Sequence, residues 1–172
     1  MSNNFDAEMA KAIAEKKAFF EKYPECPESE HVRCLNLIMK KEFAEAIVRG
    51  EKTVEFRSYS KHYCDRLFDE KVVAFRSKIS EEDIDDYEDF AKPLRLVEKI
   101  HFHPYNNSWW LDVEVIDNGI VSSSKEDAEF LKSEYDSTEL MEMYEDCQKK
   151  NLKERPLLFY FALGKVLDTN LK

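Results

Sequence analysis

Glycine and proline are scarce, at three and five residues in a chain of 172, which excludes collagen-like tracts, repeat arrays and flexible linkers. Long apolar runs are missing as well. The longest, LLFYFAL at 157–163, is far too short to span a bilayer. The opening stretch MSNNFDAEMAKAIAEKK carries no apolar signal core. Four cysteines, Cys26, Cys34, Cys64 and Cys147, form no CxxC pair and no even ladder, so neither a disulfide frame nor a zinc knuckle is indicated. Positive charge is also short: 26 Lys and Arg against 36 Asp and Glu leave a net charge of −10. Such a chain repels polyphosphate at long range, which argues against non-specific binding of duplex DNA. A reduced, cytoplasmic protein without a membrane segment is expected.

What is present describes a folded domain. Twelve Phe, eight Tyr and two Trp supply enough large apolar surface for one real core. The charge is uneven: between Arg33 and Lys78 there are eleven Lys or Arg against seven Asp or Glu, a local surplus of four. The acidic excess lies elsewhere, notably in EEDIDDYED at 81–89. A local basic patch on an acidic chain suits a small or single-stranded anionic ligand better than a long duplex.

Apolar spacing predicts an amphipathic helix over 6–23, with Phe5, Met9, Ala12, Ile13, Phe19 and Phe20 near helical periodicity and Pro24 as its stop. Residues 1–31 then read as a helical extension on a main domain at 32–172. A strand at 34–40 carries Leu35, Leu37 and Met39 on one face, and a helix at 41–50 carries Phe43, Ala46 and Ile47 on one stripe. Gly50 supplies the left-handed residue that closes it. Strands are expected at 52–58, 71–77, 94–103, 109–117 and 157–166, with Asn118–Gly119 as a turn. A short helix or turn is expected around 60–68, and helices at 80–92, 124–135 and 138–150. The sum is an α+β architecture, a small mixed barrel flanked by helices, with a helical insertion before the last strand. Neither regular βαβ alternation nor GxGxxG occurs, which disfavours a dinucleotide fold.

The segment RGEKTVEFR at 49–57 concentrates the chemistry. On a regular strand Val54 and Phe56 face one side, and Thr53, Glu55, Arg57 and Tyr59 the other, with Glu55 and Arg57 ~7 Å apart. Lys52 stands at the mouth, on a stem long enough to swing to either side. Two readings follow: a solvated face with an ion pair below about 1 kcal/mol, or the floor of a pocket.

The stretch LNLIMKKEFAEAIVRGEKTVEFR resembles the signature of the ASCH domain, a branch of the PUA-like superfamily. Its hallmark is a strand, a helix and a G-x-K-x-x-E-x-R turn and strand, and Gly50, Lys52, Glu55 and Arg57 fill the four places. The resemblance implies a PUA-like β-barrel with a cleft beside this motif that holds RNA or a nucleotide-like ligand, and no cofactor. Ligand contacts then fall to Lys52, Glu55, Arg57 and Tyr59. Arg57 offers a planar fork, Glu55 an acceptor and Lys52 a compact charge.

Some small members of the family resemble amidohydrolases that deacylate a modified nucleoside with a Lys, a Thr and a downstream Glu. Lys52 matches the first; the Thr place holds Glu55 here, with Thr53 nearby; Glu134 is the candidate for the third. A third alternative is a protein-interaction module built on the acidic helices. His101 and His103 could begin a metal site, but no third ligand stands at fixed spacing. Of Trp109 and Trp110 one is expected in the core. The other, with Tyr59, Tyr63 or Tyr105, could stack a base. His62 and Cys64 have no third group to order them as a nucleophilic pair.

Overall fold

The computed structural model describes residues 2–86 and 91–172. The chain divides into two compact units, Met1–Glu30 with Phe68–Arg95, and His31–Leu67 with Leu96–Lys172. The N-terminal residues therefore share a unit with a mid-chain segment, whereas the sequence suggested one cut near residue 31.

The larger unit holds β1 (Leu35–Ile38), α2 (Lys41–Val48), β2 (Val54–Ser58), α3 (Lys61–Leu67), β3 (Lys99–His103), β4 (Leu111–Ser122), α6 (Lys125–Tyr135), α7 (Glu139–Lys149) and β5 (Leu157–Thr169). Its five strands form one mixed sheet, curled as a half-barrel, in the order β1-β3-β4-β5-β2. β1 and β3 are parallel and the other pairs antiparallel. The alternation expected for β1 holds: Leu35, Leu37 and Met39 are buried, and Asn36 and Ile38 exposed. Ile100, Phe102, Leu111, Val113, Phe159 and Phe161 complete this interior. β4 is longer than expected because Asn118 and Gly119 continue it. Asn118 is buried and its Oδ1 accepts from Val97 N at 2.9 Å, while a Cβ on Gly119 would meet the Tyr160 ring at 2.8 Å. The dipeptide serves side-chain space here, not a turn. Register shifts between Asp112 and Asp117 bend β4 as it passes from β3 to β5.

α2 buries Ala44 and Ile47, while Phe43, predicted inside, is 46% exposed. Its end is a Schellman closure: Gly50, at φ +74°, donates to Ile47 O at 3.0 Å and Glu51 N to Ala46 O at 2.9 Å. That closure turns the chain straight into β2.

The smaller unit contains α1 (Ser2–Lys22), α4 (Glu70–Arg76) and α5 (Glu81–Asp86) around Phe19, Cys26, Phe75 and Ala91. Residues 71–77, expected as a strand, are helical. Asp69 caps α4 through Lys71 N at 3.0 Å, and Val72 and Phe75 are buried one helical turn apart while Val73 is 47% exposed. The cap and the three-residue spacing override the β-branched pair. α1 buries Phe19 but leaves Phe5, Met9 and Ile13 exposed, so its apolar stripe packs only at the C-terminal end. The acidic run 81–89 starts as α5; residues 87–90 lie outside the described residues, and 91–92, the expected end of that helix before Pro93, are not helical.

Candidate functional site

The site grows from the turn that Gly50 makes. Lys52 leaves it at the entrance to β2, and Leu163 N donates to Thr53 O at 2.9 Å, which locks the strand to β5. Val54 is fully buried. Glu55, opposite Phe161 in the register, is also buried, at 7% exposure. Of the two readings, a wet face and a closed one, the second holds for Glu55. Its cross-strand neighbour Phe161 and the adjacent Phe159 are buried in the sheet interior, while Leu140 and Met141 of α7 pack with Val54 and Phe56 on the other side.

Lys52 and Arg57 converge on Glu55 from two sides. Lys52 Nζ lies 3.4 Å from Glu55 Oε2, and Arg57 Nη2 is 2.8 Å from Glu55 Oε1. Lys52 also donates to Val54 O at 2.9 Å and to both carboxylate oxygens of Glu139, at 2.8 and 2.9 Å. Its ammonium thus has acceptors for all three of its N–H bonds. Burial pushes the Glu55 carboxyl above its ordinary range, and the opposing pull of Lys52 and Arg57 does not fully cancel it.

Arg57 is held through one nitrogen. Nη2 binds Glu55 and donates to Ile38 O at 2.9 Å, while Nε is buried without a hydrogen-bond partner. A guanidinium pinned on one corner keeps part of its donor fork uncommitted. Ile38 lines a cavity of about 440 Å³ between the start of α2 and the loop at 104–109.

Other expected residues fall differently. Tyr59 stacks on Phe159, with centroids 5.2 Å apart and 22° between planes, and burial beside Cys64 pushes its phenol up. It leaves the ion cluster for that stack. Thr53 Oγ1 donates to Tyr135 O at 2.6 Å, tying the strand to the end of α6. Glu134 is exposed; the carboxylate that reaches Lys52 is Glu139, in the first turn of α7. No local pattern links residues 87 positions apart, so only the packing of α7 reveals it. His101 pairs with Asp112 at 2.5 Å and His103 turns to Pro104 O at 2.9 Å. Among the described residues no three His, Cys, Asp or Glu gather as a metal site. Trp109 is buried and Trp110 is 37% exposed, so one is in the core as expected, although both precede β4, which starts at Leu111. Beside the site, Tyr135 and Tyr160 both donate to Asp117 Oδ2, at 2.6 and 2.8 Å. Burial and this carboxylate push both phenols up.

A strand and helix leading through a glycine closure into a buried Lys-Glu-Arg strand, on a curled mixed sheet, define a class of small α+β barrel domains. The family model for the ASCH domain matches residues 37–160, and the chain belongs to that family. Its fold is accordingly PUA-like. A crystal structure of a serine-to-alanine mutant of an ASCH protein from Zymomonas mobilis is similar at 16% identity. It matches 79% of this chain and 70% of its own, with a TM-score of 0.39. No curated protein sequence matches the chain. Among the described residues no helix is long and apolar enough to cross a membrane.

Proposed function

We propose that the protein binds RNA or a nucleotide-like ligand, with Arg57 as the recognising group and Lys52 and Glu55 as the frame that holds it. The observation that carries this reading is the half-used guanidinium. Glu55 and Ile38 O fix its orientation through Nη2 while Nε lacks an acceptor. Nε itself is buried, but the Arg57 side chain stays 20% exposed. A phosphate oxygen or a base edge that reaches the exposed part meets a pre-oriented cation that gives up little freedom on binding.

The same geometry favours binding over hydrolysis. A general base needs an amine with a free lone pair aimed at substrate, and Lys52 Nζ is already engaged by Val54 O, Glu139 and Glu55. Glu55, with its carboxyl pushed up, is the one group of the cluster suited to moving a proton, and both its oxygens already face cations.

The test is binding of a labelled single-stranded RNA, followed by fluorescence anisotropy across a salt series. Arg57→Ala and Arg57→Lys are each expected to weaken binding about tenfold. Arg57→Lys retains the charge and the pairing with Glu55 but loses the fork, so it separates recognition from folding. Wild-type affinity in a folded Arg57→Lys variant would remove Arg57 from the site.

A further inference from the structure

We infer that the cavity beside Ile38 is a subsite for one nucleotide of a single-stranded chain, with a base on Tyr105 and its phosphate on Lys40 and Lys41. The inference rests on the RNA-binding reading and adds residues outside the G-x-K-x-x-E-x-R motif. At about 440 Å³ the cavity falls within the ~300–1,000 Å³ span of small-ligand clefts.

Its two walls are joined. Met39 N donates to His103 O at 3.0 Å, which ties the start of α2 to the loop that follows β3. That loop is a compact turn: Asn107 N donates to Pro104 O at 3.2 Å, Asn107 takes φ 53°, and Asn106 Oδ1 accepts from Ser108 N at 3.1 Å. The turn carries Tyr105 with 88% of its surface exposed, although Trp109 next to it is buried to 7%. A large ring held in solvent by an ordered loop offers a flat face that nothing in the protein covers.

The opposite wall is cationic. Lys40 has no ion-pair partner among the described residues. Among the described residues Lys41 has only the half-exposed Glu45 at 3.7 Å, and α2 begins without a side-chain cap. Among the described residues no carboxylate lines the cavity. In a chain of net charge −10, a wall of lysines facing an aromatic fits an anionic ligand with a π face. The Arg57 bond to Ile38 O puts the recognising group next to one end of the cavity. A base platform and lysines in one cavity, with the guanidinium bonded to a residue that lines it, offer more contacts than one nucleotide uses, which favours an oligonucleotide over a free nucleotide.

The experiment titrates a fluorescein-labelled uridine decamer into the full chain, with uridine monophosphate as competitor, over a salt series. Tyr105→Ala is expected to bind about tenfold more weakly and Tyr105→Phe like wild type. Lys40→Ala is expected to lower the slope of log affinity against log salt by ~0.7. Wild-type affinity in Tyr105→Ala together with weakened binding in Arg57→Lys overturns the subsite and leaves the Arg57 reading standing. Weakened Tyr105→Ala with unchanged Arg57→Lys supports the subsite and removes Arg57. Equal competition by the monophosphate overturns the oligonucleotide assignment. No binding by the wild-type chain overturns both readings.

Discussion

The Lys52–Glu55–Arg57 cluster and the Tyr105 cavity are linked through one hydrogen bond, Arg57 to Ile38 O, and they handle charge in opposite ways. In the cluster two cations and two carboxylates are packed together, and Glu55 and Lys52 have side chains only 9% and 10% exposed. In the cavity Lys40 has no counter-ion among the described residues and Tyr105 stands in solvent. Desolvated charges must pair with one another, because a buried ion left alone costs several kcal/mol. Exposed ones can wait for a ligand at little cost. Under the proposed RNA binding, the first region orients the ligand and the second captures it.

The largest effect is expected from Glu55→Ala. It leaves Lys52 with Glu139 alone and the half-buried Arg57 with no carboxylate, and stability should fall by about 3 kcal/mol, read from the denaturant midpoint. A loss under 1 kcal/mol would mean that the cluster is solvated and the contrast false. Next is Gly119→Ala, which drives a methyl into the Tyr160 ring at 2.8 Å. A loss of ~1–3 kcal/mol is expected, with Tyr160→Phe unable to relieve the clash because the nearest atom is a ring carbon.

The pH dependence sharpens the comparison further. The folded Glu55 carboxyl lies above its ordinary value, so its stabilising contribution is fully present below about pH 4.3 and declines as pH rises through the folded value. Glu55→Gln should flatten that part of the profile, measured as denaturant midpoints between pH 4 and 7; an unchanged profile would place the titration elsewhere. Smaller still is Glu139→Gln. The Glu139 side chain is 42% exposed, so a loss under about 1 kcal/mol is expected. The smallest effect is Lys40→Ala, which should leave stability within about 0.5 kcal/mol while still changing the salt dependence of RNA binding. A large stability loss there would mean that the cavity wall is part of the fold.

Much of this was visible before any coordinates. Leu35, Leu37 and Met39 announce β1 by strict alternation, and Gly50 announces the turn because few other residues take its backbone angle without strain. The spacing of Gly50, Lys52, Glu55 and Arg57 pointed to the family that residues 37–160 match. The failures share a cause. Val72 and Val73 read as strand because β-branching is a local preference, and the Asp69 cap with burial of Phe75 overrode it. Asn118–Gly119 reads as a turn in any short window. Its actual duty, leaving room for Tyr160 and bonding Val97 N, is owed to partners 41 and 21 positions away.

The sequence alone determined the order of strand, helix, glycine closure and charged strand, because these rest on backbone angles and periodicities that a few neighbouring residues set. It also placed Glu55 and Arg57 on one face of the strand, while the side taken by Lys52 was left to the packing. Only tertiary structure decided that Glu55 is buried, that Glu139 and not Glu134 answers Lys52, and that Tyr105 stands beside Lys40 and Lys41. Burial and long-range pairing depend on which distant residues come alongside, here Phe161 of β5 beside Glu55 and Glu139 of α7 beside Lys52.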